Sequence, residues 1–141
     1  MRGYGIIRTV KKETRNINGK EEARVMSRYK KFDVVRIDLG KNMIGSEQGG
    51  VRPAVIIQND VGNKHSSTTI IIPFSSKIKH LDQPTHSLFV ANKEYGLDRN
   101  SVLLGECIRS ISNDRILCRI GRIEDDNDKA KIKRVYDANW G

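Results

Sequence analysis

Residues 44–63 read IGSEQGGVRPAVIIQNDVGN, a polar, glycine-rich loop that ends in Val51-Arg52-Pro53 and runs directly into an apolar strand. Val55, Ile56 and Ile57 form a short β-branched run bounded by turn residues at Asn59-Asp60 and Gly62-Asn63, the pattern of a buried strand. Pro53 suits the first position of such a strand, which need not donate to a ladder. Gly45, Gly49 and Gly50 permit positive φ and a close approach of backbone to another molecule. Arg52 thus stands where a flexible polar loop meets a rigid core strand. That placement suits an anion-binding or catalytic group, because the strand holds it while the loop reaches the ligand.

On either side of this segment the same kind of punctuation recurs. A first strand is expected over 32–39, with Val34 and Val35 allowing a bulge; a second covers 53–59 and a third 68–75, which carries Ile70, Ile71, Ile72 and Phe74. A fourth is expected over 86–91, a long fifth over 101–111 bent near Gly105, and a sixth over 116–120. Short, closely spaced strands with turn residues between them favour a small barrel. The period then changes. Ile132, Val135, Tyr136 and Trp140 fall on one face of a helix, and Asp125, Asp126 and Asp128 supply the negative charge that favours its N-terminus.

A chain of 141 residues is expected to be one domain with a single core and no need of staples. No apolar stretch has the length of a membrane span and no signal-peptide pattern opens the chain, so a cytoplasmic protein is expected. Cys107 and Cys118 make neither a disulfide framework nor a zinc site, and in a reducing compartment both are free thiols. The formal net charge is +9, which points to a polyanionic partner. Its distribution is uneven: residues 1–31 hold ten Lys/Arg against three Asp/Glu, and the remainder sixteen against fourteen. Residues 1–28 lack a sustained apolar period and read as a basic arm, with the folded domain at 29–141. An aromatic content of 6% is too low for base-stacking platforms.

The string GSEQGGVRP at residues 45–53 resembles the signature of the MazF/PemK family, metal-independent toxin endoribonucleases of type II toxin–antitoxin pairs. The resemblance continues through VIIQND and its following Gly-Asn, PFSS at 73–76, PTH at 84–86, and the block YG-x-x-R-x-SV-x-L-x-E-x-IRSI from Tyr95 to Ile111. It covers roughly residues 29–140. It implies an SH3-like barrel with a C-terminal helix, assembled as a homodimer. It also implies single-stranded RNA as substrate and an acidic, MazE-like antitoxin as partner, with no metal and no cofactor.

RNA carries its own nucleophile, the 2′-OH beside each phosphate. An enzyme that uses it must align that oxygen with phosphorus, accept one proton, donate another and stabilise charge on the phosphate. The chain has no HExxH, no Walker loop and no acidic set for two metals. The family's catalytic arginine maps onto Arg52, its loop glutamate onto Glu47, and its catalytic threonine onto Ser75. A guanidinium binds two phosphate oxygens in a fork, so Arg52 is the expected charge stabiliser. Its high pKa makes it a poor base, and Glu47 is the better candidate if partial burial raises its pKa. Ser75 retains the hydroxyl of a threonine without the methyl that restricts its rotamer. His65, His80 and His86 have no spacing that commits them to a two-histidine scheme.

Sequence selection needs unstacked bases read along their edges. Ser46, Gln48, Asn59, Ser76 and Glu106 have suitable donors and acceptors, and Cys107 stands where relatives carry a glutamine that faces RNA. A thiol is a weaker hydrogen-bonding group, which leaves the recognised RNA sequence open. Two rival readings are a non-catalytic toxin that binds a protein target such as DNA gyrase, as the related CcdB toxins do, and a nucleic-acid-binding repressor.

Overall fold

The computed structural model describes residues 29–45 and 47–141. The expected basic arm at 1–28, and Ser46, lie outside the described residues. Seven strands form among these residues: β1 (Asp33–Asp38), β2 (Val51–Ile56), β3 (Thr68–Ser75), β4 (His86–Phe89), β5 (Ser101–Leu104), β6 (Arg109–Ser112) and β7 (Ile116–Arg122). A short helix α1 (Asp60–His65) follows β2, and α2 (Asp126–Asp137) follows β7. All pairing is antiparallel, in the order β4-β5-β3-β2-β1-β7, with β6 also on β3. The fold is therefore mainly β with a C-terminal helix.

Alternation along the central strands builds two cores. Val34, Val55 and Ile72 are cross-strand partners in one row and belong to a cluster with Phe74, Phe89, Leu103, Ile132 and Val135. Their neighbours Val35, Ala54, Ile56 and Ile71 face the other way, joining Ile37, Ile111 and Ile116. Both faces are buried, which is why adjacent apolar residues, Val34-Val35 in β1 and Ala54-Val55-Ile56 in β2, are all enclosed. The bulge expected at Val34/Val35 appears as a register shift against β7 at that step.

Several boundaries differ from expectation. β2 starts at Val51, so Pro53 is its third residue, paired to Arg36 on β1. The β2–β3 ladder begins only at Ala54↔Pro73, so Pro53 lies outside it. β2 stops at Ile56, because Asn59 caps α1 by accepting a bond from the Gly62 N–H at 2.8 Å; this compact helix stands where the sequence suggests only a turn. β4 ends at Phe89 and β7 runs on to Arg122. The long bent strand expected over 101–111 is two strands, β5 and β6, joined by a 3₁₀ turn at Gly105–Cys107. Both segments pair with β3, β5 at its C-terminal end and β6 at its N-terminal end, so the bend lets one partner follow a curled β3.

Gly105 is required in that turn. A Cβ there would come within 2.6 Å of the Val135 carbonyl oxygen and 2.8 Å of that of Thr85, backbone atoms that cannot step aside. Asp125 caps α2 by accepting from the Asp128 N–H at 3.0 Å. Burial of Ile132 and Val135, worth about 1.5–3 kcal/mol each, holds a helix too short to be stable alone. Tyr136 and Trp140 do not share that buried face: Tyr136, within the helix, is 50% exposed, and Trp140, beyond its end at Asp137, is 94% exposed. Among the described residues, no helix is long and apolar enough to cross a membrane.

Candidate active site

Arg52 lies near the start of β2, opposite Ile37 of β1. It reaches the end of β3 through the Phe74 carbonyl, one residue before Ser75, the last residue of that strand. Its side chain is fastened at two points: Nε donates to the Gly49 carbonyl at 3.1 Å and Nη1 to that of Phe74 at 3.2 Å. Among the described residues no carboxylate pairs with it, and none offers Nη2 an acceptor. Burial lowers its pKa from the ordinary arginine value, partly offset by Cys107. A half-buried, unneutralised guanidinium with free donors is an anion receptor.

The 40–50 loop is closed at its base by backbone bonds, Leu39 N–H to Gly50 C=O at 2.9 Å and Gly50 N–H to Gly40 C=O at 2.7 Å. Gly50 has φ of +72°, a conformation that strains any residue with a Cβ. Glu47 sits beyond this closure. It is exposed, contrary to the partial burial expected for a base, and its Oε1 accepts from the Ile44 N–H at 2.8 Å. Ser75 is half-buried, and its Oγ accepts from the Lys77 N–H at 3.2 Å, closing the turn after β3.

Arg52, Glu47 and Ser75 share the lining of one cavity of about 880 Å³ with Gln48, Ser76, Glu106 and Cys107. Thus seven of the nine site residues expected from sequence converge there. Asn59 does not: it lies outside the lining and its side-chain oxygen is committed to capping α1. The cavity also holds cations that motif reading passes over, namely Arg36, Lys77, Lys79 and Arg99. Lys77 and Lys79 follow PFSS directly, a signal open to sequence reading; Arg36 and Arg99 arrive only through register and loop placement. With Arg52 they outnumber the acids Glu47, Asp98 and Glu106, so the wall favours a polyanion.

The Gly105–Cys107 turn forms another part of the wall. The Gly105 N–H donates to the Thr85 carbonyl at 2.8 Å and Asn139 Nδ2 to the Gly105 carbonyl at 2.8 Å, tying the turn to the end of α2. Burial and the neighbouring Glu106 raise the Cys107 thiol above its ordinary pKa, against a lowering influence of Arg52. It remains protonated at neutral pH and is a poor nucleophile. His65 is not part of this cavity; His80 and His86 are.

The curled antiparallel sheet thus bears a cation-lined cleft in which a fastened arginine and a strand-end hydroxyl share one wall. The model of the PemK-like, MazF-like toxins of type II toxin–antitoxin systems matches residues 30–135, and the chain belongs to this family. It is 42% identical over 97 residues to endoribonuclease EndoA of Bacillus subtilis, an overlap of 69% of this chain and 82% of that one. The fold is that of MazF. The solved MazF of Deinococcus radiodurans superposes with a TM-score of 0.66 at 19% identity, covering 80% of this chain and 96% of the other. A mycobacterial endoribonuclease solved with its cognate antitoxin gives 0.64 at 17% identity, covering 80% and 95%. The chain is an endoribonuclease toxin, and the gyrase-binding alternative is not favoured.

Proposed function

We propose that this toxin cuts single-stranded RNA by attack of the 2′-OH on the adjacent phosphorus, leaving a 2′,3′-cyclic phosphate and a 5′-OH. The observation that carries the reading is Arg52, a half-buried cation with two backbone anchors and no carboxylate partner among the described residues. Its anchored side aims the remaining donors at the non-bridging phosphate oxygens, where charge develops in the transition state. Ser75, across the strand pair, donates its hydroxyl to the same phosphate; the bond it accepts from Lys77 leaves that proton free. Glu47 takes the 2′-OH proton, and the departing 5′-oxygen takes one from solvent. RNA settling over the loop displaces its bond to Ile44 and supplies the burial that the free loop lacks. Ser46, Gln48, Ser76, Glu106 and Cys107 read the flanking bases.

The toxin acts in the cytoplasm as a homodimer. An acidic segment of its antitoxin occupies the same cleft, since a wall built for phosphates also attracts carboxylates. A structural relative solved with its cognate antitoxin supports this partner.

The test is purified protein on a long single-stranded RNA in EDTA. Discrete fragments bearing cyclic phosphates are expected, and a single 2′-deoxy substitution at the scissile nucleotide blocks that cut. Equal cutting of the deoxy substrate would make water the nucleophile and remove the scheme.

A further inference from the structure

His86 has no part in the mechanism above, yet it is set into the cavity wall with only 6% of its side chain exposed. Both ring nitrogens face oxygen acceptors. Nδ1 lies 2.9 Å from the His80 carbonyl and Nε2 2.8 Å from Glu106 Oε2. Burial pushes the Glu106 carboxyl upward, but bonds from His86, its own backbone and Thr85, with the charge of His86, hold it below the ordinary glutamate value. The carboxylate is therefore an acceptor only. In its contact with His86 the Nε2–H donates and the carboxylate accepts.

We infer that His86 is a positioning residue for base selection, which holds Glu106 as a fixed acceptor toward the nucleotide beside the scissile phosphate. The inference rests on the reading of this cavity as an RNA site. Glu106 is 44% exposed at the side chain, and an unanchored glutamate at such a position samples several rotamers and discriminates little. With His86 and Thr85 holding it, its cavity-facing edge offers lone pairs at one place. Such an edge complements the exocyclic amino group of adenine or cytosine, or the N1–H and amino edge of guanine. It suits uracil least, whose pairing edge has one N–H between two carbonyls. Glu106 and the next residue, Cys107, line the same cavity as Arg52, which sets the reading point in the cleft that takes the phosphate.

The experiment maps cleavage of one long single-stranded transcript and measures kcat/KM on short RNAs varied at each position flanking the best site. His86→Leu removes the imidazole, His86→Gln keeps one amide donor toward Glu106, and Glu106→Gln turns part of the acceptor into a donor. His86→Leu is expected to lose about tenfold of the discrimination at one position, with a smaller fall in kcat on the best RNA. His86→Gln recovers most of it. Glu106→Gln alters preference at that same position, and adding His86→Leu to it changes nothing further. Unmoved base preference in His86→Leu, or independent effects of the two substitutions, overturns the proposal. Should His86→Leu fail to fold, the Glu106→Gln variant decides: full wild-type preference there overturns it equally. Wild-type cutting of the same transcript is the control for the underlying reading. Its absence would sink both, whereas cutting with unmoved preference sinks this inference alone.

Discussion

Arg52 and Glu47 are close neighbours in the chain and face the same cavity, but they are held in opposite ways. Arg52 belongs to β2, is paired to β1, and is pinned by two carbonyls from separate segments. Glu47 stands in the 40–50 loop, exposed, with its carboxylate bonded to a backbone N–H three residues away. In the proposed mechanism the strand wall is set before RNA arrives, while the loop carries a base whose working environment forms on binding. Electrostatic stabilisation gains most from donors that need no reorganisation. A base gains from an environment that changes when water is excluded.

The sharpest way to break this contrast is at the rigid wall. Arg52→Ala is expected to lower single-turnover cleavage by about 10²–10³-fold with the fold retained, checked by an unchanged circular dichroism spectrum. Cutting within tenfold of wild type would remove Arg52 from the chemistry. Glu47→Gln probes the loop: a loss of about 10²-fold in kcat with little change in RNA affinity is expected. A change confined to affinity would make Glu47 a contact residue and move the base to the strand wall.

Ser75 sharpens the contrast within the wall. Ser75→Ala loses about tenfold or more, the worth of one hydrogen bond to a charged group, whereas Ser75→Thr retains or raises activity because the hydroxyl is kept and its rotamer restricted. Full activity in Ser75→Ala would pass the role to Ser76, which lines the same cavity. The smallest effect belongs to the basic N-terminal segment. Deleting residues 1–28 should weaken RNA binding at low salt and leave the cleavage sites unchanged. It should also flatten the salt dependence, by a slope of ~0.7 for every phosphate that the segment neutralises. Identical salt slopes for both proteins would show that the segment contributes nothing to binding.

Much of this molecule was legible in its residues. The strand positions follow from β-branched runs cut by Asn, Asp and Gly. The third strand, expected over 68–75, forms there residue for residue, since its apolar run is long and its flanks are turn formers. Arg52, Glu47 and Ser75 were also legible, because a motif keeps residues in order along the chain. Their meeting in one cavity with Ser76, Glu106 and Cys107 was implied by resemblance alone until the folded sheet placed them.

Other features have no local cause. Asn59 carries the same donors and acceptors as a base-reading residue, but six residues of helix after it claim its oxygen. Trp140 matches the helical period yet is exposed, because the helix stops at Asp137, before the pattern does. The break between β5 and β6 depends on Val135 and Thr85 crowding Gly105, contacts from residues distant in the chain. His86 is the clearest case. Its sequence context says only that a strand begins there; the carbonyl of His80 and the carboxylate of Glu106 meet its two nitrogens through a loop and a neighbouring strand. Periodicity and motif order are properties of adjacent residues, so the strands, the C-terminal helix and the candidate residues of the cavity could be read along the chain. Which polar group faces which depends on segments brought together across the sheet, and that pairing exists only in the folded molecule.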